Sequence, residues 1–288
     1  MSGTARTPGH GARASVLSET RDILRLGWHS TRIELKQFFR SPQLVFFTFA
    51  LPILLLVIFG SIFSGNIDGP PGTKPVPFRQ YFVSGMIAAG IVSTTFTSLA
   101  MTIAIEQHEG LLKRLAGTPL PKASYFLGKI GLAVVSSAGQ TALMLAIGAL
   151  FFGLSIPTDL MRWVVFAWVF LLGITSGSLL GIAYTRLIPN ASSATAIVQP
   201  PYLILQFISG VYFVFTELPI LLQSIAVLFP LKWMAQGFRY VFLPDWFAAK
   251  EQGGEWHLER TAFVLAAWSV VAFVLAMRTF RWSEEREH

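Results

Sequence analysis

Six stretches of this chain contain no Asp, Glu, Lys or Arg, and they decide what it can fold into. They hold 27 residues between Arg40 and Asp68, 26 between Arg79 and Glu106, 29 between Lys129 and Asp159, 23 between Arg162 and Arg186, 30 between Arg186 and Glu217, and 17 between Arg260 and Arg278. A helix needs about 20 apolar residues to cross a bilayer, with about 17 as the lower limit, and a charge at mid-bilayer is costly. The last stretch suffices because Arg260 and Arg278 can reach the two interfaces with their long side chains. The chain therefore reads as an all-α membrane protein with six transmembrane helices, near residues 43–63, 81–104, 126–153, 162–185, 194–215 and 260–279, in a membrane domain of residues 41–282. A further apolar run, Leu218 to Leu231, is uncharged for only 14 residues and carries Pro219 and Pro230. That length predicts a re-entrant outer helix between spans five and six, not a crossing.

Charged residues make up only 13% of the chain, about half the share of a soluble domain, which argues against a water-soluble enzyme. With no Cys, disulfides, thiolate nucleophiles and Cys-based metal sites are excluded. The net charge of +7 serves orientation and contact with anionic lipid, with nucleic acid no partner. With six spans, 15 of the 22 Lys and Arg fall on the side of the N-terminus. The positive-inside rule then predicts that both termini are cytoplasmic in a plasma or bacterial inner membrane. No short apolar core precedes the first span, so that span is expected to act as its own insertion signal.

Residues 1–17 are small and polar and predict a disordered cytoplasmic tail, and residues 283–288 a second one. From 18 to 40 the pattern is helical. At 100° per residue, Arg21, Arg25, Arg32 and Lys36 fall on one basic stripe, with Ile23, Leu24, Leu26, Trp28, Ile33, Leu35 and Phe38 around the rest. This predicts an N-terminal amphipathic interfacial helix. Its stripe reads as contact with a partner, or as ordinary basic flanking of a span.

Catalytic motifs are missing from the sequence. No G-x-x-x-x-G-K-[ST] loop is present, since Gly128-Lys129 is followed by Ile130 and preceded by Ala at 123, and no H-E-x-x-H occurs. Glu106, His108 and Glu109 cluster, but on a helix His108 projects about 100° from the two acids, which predicts a solvated helix end and no metal. The spans hold hardly any ionisable group at their centres, which argues against a proton relay or an ion-coupled carrier. Gly173, Gly177 and Gly181 form a small-residue ridge, read as packing within one subunit before a dimer seam.

The most informative loop reads EQHEGLLKRLAGTPLPKASYFLGK, Glu106 to Lys129. It starts with acids, makes a short amphipathic turn and stops at Gly117, where Thr118-Pro119 and Pro121 block helix continuation. A short rigid element between two spans suits mechanical contact with a cytoplasmic partner.

This loop resembles that of the ABC-2 type permeases, the membrane subunits of ATP-binding-cassette exporters. Glu106, Gly110, Leu111, Leu115, Thr118, Pro119, Leu120, Gly128 and Lys129 fit the family pattern in order, with Leu111-Leu112-Lys113 standing where Thr-Leu-Glu is common. Ser209-Gly210, Leu218-Pro219, Pro230-Leu231 and Arg239 resemble the later part of the family. The resemblance implies a permease subunit of an ATP-driven exporter, drug/antibiotic-export-like, paired with a second permease copy or a homologous one. It implies no cofactor on this chain itself, with ATP and Mg held by a separate cytoplasmic ATPase subunit. ATPase coupling would fall on Glu106, Glu109, Gly110, Leu111, Leu112, Leu115, Thr118 and Pro119. The pathway would be lined by Thr94, Thr95, Thr97 and Ser98 in span two and Gln206, Phe207, Ser209, Tyr212 and Phe213 in span five. Mixed aromatic and hydroxyl groups suit an amphipathic drug-like or lipid-like substrate. The competing readings are a glycan or lipid-linked polymer exporter of the same family, a polytopic membrane enzyme, and an assembly protein.

Overall fold

The computed structural model describes residues 10–63 and 65–280. Helix α1 (His10–Arg40) is followed after a single residue by α2 (Pro42–Ile62), and a two-stranded hairpin, β1 (Asn66–Ile67) and β2 (Val76–Pro77), leads to α3 (Phe78–Val92). A five-residue π turn, Ser93–Thr97, joins α3 to α4 (Ser98–His108). Then come α5 (Leu111–Ala116), α6 (Lys122–Phe152), α7 (Leu160–Tyr184), α8 (Ala194–Ile208), α9 (Ile220–Ala226), α10 (Pro230–Phe242) and α11 (Leu258–Thr279).

Five helical stretches among the described residues are long and apolar enough to cross a membrane: α2, α3 through α4, α6, α7 with its 3-10 end, and α11. The chain is an integral membrane protein. The core runs along α3 and α4, which α6, α7, α8 and α10 surround. The π turn widens the helix and misaligns carbonyls, and the hydroxyls of Thr94 and Thr95 bond carbonyls there. Thr94 donates to Ile91 O at 3.0 Å and Thr95 to the same oxygen at 2.6 Å. The glycine ridge of α7 packs inside the subunit. A Cβ on Gly177 would meet Thr95 Oγ1 at 2.2 Å, and one on Gly181 the carbonyls of Thr95 and Phe96 at 2.9 Å.

Three expectations change. The first helix starts at His10, not at 18, so His10–Leu17 belong to α1 and not to the expected tail. Ala12, Arg13 and Ala14 are good helix formers and extend a helix already nucleated downstream. Residues 1–9 and 283–288, the rest of the expected tails, lie outside the described residues.

The fifth span, expected as a helix over 194–215, is helical only to Ile208. Ser209 leaves helical geometry and Gly210 takes φ 74, a left-handed conformation open to glycine. The chain nevertheless covers the full length of the bundle. Ile188 O sits 3.2 Å from His108 Nε2 at the end of α4, and Gly210 O lies 2.9 Å from Tyr81 Oη near the start of α3. Non-helical backbone at this depth is tolerated because it is enclosed by protein: Ser209, Gly210, Val211, Tyr212 and Val214 are buried.

The re-entrant element extends well past Leu231. Helices α9 and α10 meet at 94°, and 12 of the 13 residues of α10 are buried, in a helix that continues past the 218–231 run where the sequence placed the element. The element returns to the end of the bundle it left, since Thr216 Oγ1 donates to Lys250 O at 3.0 Å and Gln80, at the start of α3, donates to Phe242 O at 2.6 Å.

Candidate functional site

The acid that opens the Glu106–Lys129 loop and the lysine that closes it are partners. Lys129 Nζ bonds Glu106 and also reaches Glu34 Oε1 at 2.7 Å. Tyr125 Oη donates to the second oxygen of Glu106 at 2.6 Å. One lysine, 2% exposed, thus ties α1, α4 and α6 together. The backbones come close enough because small residues face each other. A Cβ on Gly128 would stand 2.7 Å from Ser30 Cβ, and one on Gly131 would stand 2.3 Å from Thr31 Oγ1. Thr31 turns its hydroxyl to its own helix, Gly27 O at 3.0 Å, and Ser124 Oγ donates across to Ile23 O at 3.1 Å.

Helix α5 hangs from this clamp. Gly110 adopts φ 76, which folds the chain back directly after α4, and Thr118 Oγ1 donates to Leu115 O at 2.7 Å where α5 ends. The apolar side of α5 faces the bundle. Leu112 is 1% exposed and packs with Leu99, Ile103, Tyr125 and Ala133, and Leu115 leans on the same cluster while Leu111 is half-buried. Glu109, Lys113, Arg114, Thr118 and Pro119 are exposed. The sequence reading gave the leucines to a partner; the structure gives Leu112 to the protein's own core. An isolated six-residue amphipathic turn does not reveal which of two apolar surfaces covers it. His108 and Glu106 also diverge, one to Ile188 O and the other to Lys129, and no group of three potential metal ligands occurs among the described residues.

The basic residues Arg21, Arg25, Arg32 and Lys36 are all exposed on α1. Glu34, which the sequence reading passed over, points the other way into the clamp.

At the opposite end a second cluster holds the break after α8. Tyr81 Oη contacts Gly210 O at 2.9 Å, Phe213 O at 3.0 Å and Phe215 N at 3.2 Å, so one hydroxyl serves three backbone groups freed by the turn. Arg239 Nη1 donates to Gly210 O at 3.2 Å, its Nη2 to Glu251 Oε2 at 3.2 Å, and its Nε to the other Glu251 oxygen. Arg239 and Glu251 are 0% and 1% exposed. Further along α8, Tyr212 Oη donates to Gln206 Oε1 at 2.9 Å, Gln206 to Tyr202, and Tyr202 Oη to Ala89 O at 2.9 Å.

The expected pathway residues therefore separate into two groups. Thr94, Thr95, Thr97, Gln206, Ser209 and Tyr212 are buried inside the subunit, Thr94 and Thr95 bonding their own helix and Gln206 bonding Tyr202 and Tyr212. Ser98 is exposed, as are Phe207 (52%) and Phe213 (45%). Thr102, one turn beyond Ser98, is exposed as well. The two hydroxyls stand at i, i+4 spacing on the apolar part of α4. Phe46, Phe47, Leu51 and Leu54 of α2 and Leu203 and Ile204 of α8 are exposed too.

The sequence profile of the family described as ABC-2 type transporter matches residues 26–243, well over half of the chain. The inner membrane transport permease YadH of Escherichia coli (strain K12) is 26% identical over 193 residues, which cover 66% of this chain and 72% of that protein. The YadH protein of Shigella flexneri aligns with the same identity and coverage.

Proposed function

This chain belongs to the ABC-2 type transporter family, and from that premise we propose that it is the membrane-spanning permease of an ATP-driven exporter. It carries no phosphate-binding loop in its sequence, so a separate cytoplasmic ATPase subunit supplies hydrolysis. The observation that carries the proposal is the clamp of Glu34, Lys129 and Glu106, which ties α1, α6 and α4 together beside α5, whose charged face points outward. A push on Glu109, Lys113, Arg114, Thr118 or Pro119 reaches α1, α4 and α6 together. Leu111, Leu112 and Leu115 back that face from inside.

The chain works as half of a dimer. The bare apolar sides of α2 and α8 meet a second permease, and Ser98, Thr102, Phe207 and Phe213 line the seam through which an amphipathic drug-like or lipid-like molecule leaves the inner membrane. The clamp end, with both termini, is cytoplasmic. Two of the seven Lys and Arg at the other end, Lys232 and Arg239, are fully buried in α10 and do not act as loop charges, which strengthens the charge bias behind that orientation.

The test is co-purification with an ATPase subunit. A K113E/R114E variant should reach normal membrane levels and lose the ATPase. Retained binding and export would make the loop a plain connector. Reporter fusions at Arg114 and at Gly254 should report opposite sides of the membrane.

A further inference from the structure

Helix α1 presents three faces. Ile23, Gly27, Ser30, Thr31 and Glu34 lie against α6. On the side away from α6, Arg21, Arg25, Arg32 and Lys36 fall within about 60° of one another on the helical wheel. Next to them, again within about 60°, come Leu24, Trp28 and Phe39, which are 60%, 58% and 60% exposed. No carboxylate forms an ion pair with those four basic residues among the described residues. Arg25, Trp28, His29 and Arg32 border a surface hollow of about 380 Å³. The Arg32 guanidinium lies 5.2 Å from the centre of the Trp28 ring.

We propose that this face of α1 is a binding site for an anionic phospholipid, with Arg25 and Arg32 on the headgroup phosphate and Trp28 seated at the hydrocarbon boundary. Guanidinium groups match phosphate oxygens in a two-pronged geometry, and an indole beside them suits the depth where headgroup meets acyl chain. A membrane is favoured over a protein as the occupant by continuity. Only Ser41 separates α1 from α2, so the last turns of α1 stand where the first crossing begins. The exposed Leu24, Trp28 and Phe39 lead into exposed Leu44, Phe46 and Phe47 of α2. Exposed apolar side chains therefore occur both on the amphipathic helix and at the start of the crossing helix, with the cations beside them.

The site lies on α1 and is independent of the ATPase contact proposed for α5. It is tested on the purified full chain by native mass spectrometry, with phosphatidylglycerol and phosphatidylcholine offered in equal amounts. The wild type should retain phosphatidylglycerol preferentially. Arg25→Gln with Arg32→Gln should lower that preference at least about tenfold, with helix content unchanged by circular dichroism. Arg25→Lys with Arg32→Lys, which keeps the charge and loses the two-pronged geometry, should fall between the wild type and the glutamine variant. Millimolar inorganic phosphate should leave the bound lipid in place. Equal retention of the two lipids by the wild type would overturn the proposal, as would an unchanged preference in the glutamine variant. Displacement by inorganic phosphate would make this a free-anion site and not a lipid site. Capture of the ATPase subunit by α1, without any preference between lipids, would give the face to a protein partner.

Discussion

The two ends of the bundle each use an ionic clamp, and the clamps are built differently. Near α5 a lysine, a single-point donor on a flexible stem, is shared by Glu34 and Glu106, which are 19% and 16% exposed. At the hairpin end Arg239 grips Glu251 with two nitrogens and has no exposure at all. A bidentate guanidinium fixes distance and angle together, whereas an ammonium tolerates rotation. The hairpin-end clamp thus holds one geometry, locking the irregular turn at Gly210 and the buried helix α10. The α5-end clamp can keep its charge balance while its helices shift. That difference suits the partner contact proposed for α5 at one end and the permanent support that the broken helix needs at the other.

The sharpest way to break this comparison is Glu251→Gln. It leaves a fully buried guanidinium without its counter-charge, which costs about 3–5 kcal/mol. The expected outcome is severe loss of folded protein in the membrane and of thermal stability in detergent. A near wild-type melting profile would show that the hairpin end is not a rigid lock.

Leu112→Ala comes next. The side chain is 1% exposed in the cluster beneath α5, and deleting buried Leu methyl groups costs about 2–5 kcal/mol depending on how far the cavity collapses. Thermal unfolding should show the loss, whereas Lys113→Ala on the outward side should leave stability within about 0.5 kcal/mol. Equal effects would mean that α5 is not seated on the bundle.

Tyr81→Phe removes the one hydroxyl that serves Gly210 O, Phe213 O and Phe215 N. Arg239 still covers Gly210 O, so the expected loss is that of a partly compensated buried polar group, about 1–3 kcal/mol. Hydrogen exchange at Phe215 should rise well above that of neighbouring buried amides. Unchanged protection there would remove the tyrosine from the support of the turn.

What the sequence made legible follows from what charge counting can see. Residues of α2, α6, α7 and α11 lie in long uncharged runs, and a run of that length has only one solvent it can share. The count fails where charges cancel inside the protein. Lys232 ended the uncharged count at Leu231, with Arg239 and Glu251 further on, yet Arg239 meets Glu251, and the ammonium of Lys232 lies 3.9 Å from the centre of the Trp233 ring. Their partnership is set by the return of the chain after α10, which no local pattern records. The end of α8 was hidden for a similar reason, because Ser209 and Gly210 are uncharged and extend the apolar count while ending the helix. At the α5 end the motif residues Glu106 and Lys129 were visible, but their contact was not, since it needs α4 and α6 side by side. Glu34 drew no notice because acids on amphipathic helices are ordinary, and only the fold brings it to Lys129.

The smallest expected effect tests the flexible clamp itself. Glu34→Gln keeps the shape of the side chain and removes one of two carboxylates around Lys129. Glu106 remains to balance the lysine, with Tyr125 still donating to its other oxygen, so no charge is stranded. The lost pair is partly exposed, and such pairs contribute about 0–1 kcal/mol. Thermal stability should therefore move by no more than that. Glu106→Gln should cost more, because it leaves Lys129 with only the more exposed partner and weakens the acceptor for Tyr125. Lys129→Met should cost the most of the three, because it leaves two carboxylates facing each other with no cation between them. The order Lys129, Glu106, Glu34 is what a shared lysine requires, and melting temperatures of the three variants in one detergent read it directly. If Glu34→Gln destabilises as strongly as Glu251→Gln, the two clamps are equally rigid and the contrast between the ends of the bundle fails. If instead Glu34→Gln leaves stability intact but lowers export in cells, with Glu106→Gln lowering both, the lysine is shown to hold α1 loosely and α4 firmly, as a joint that moves with α5 needs.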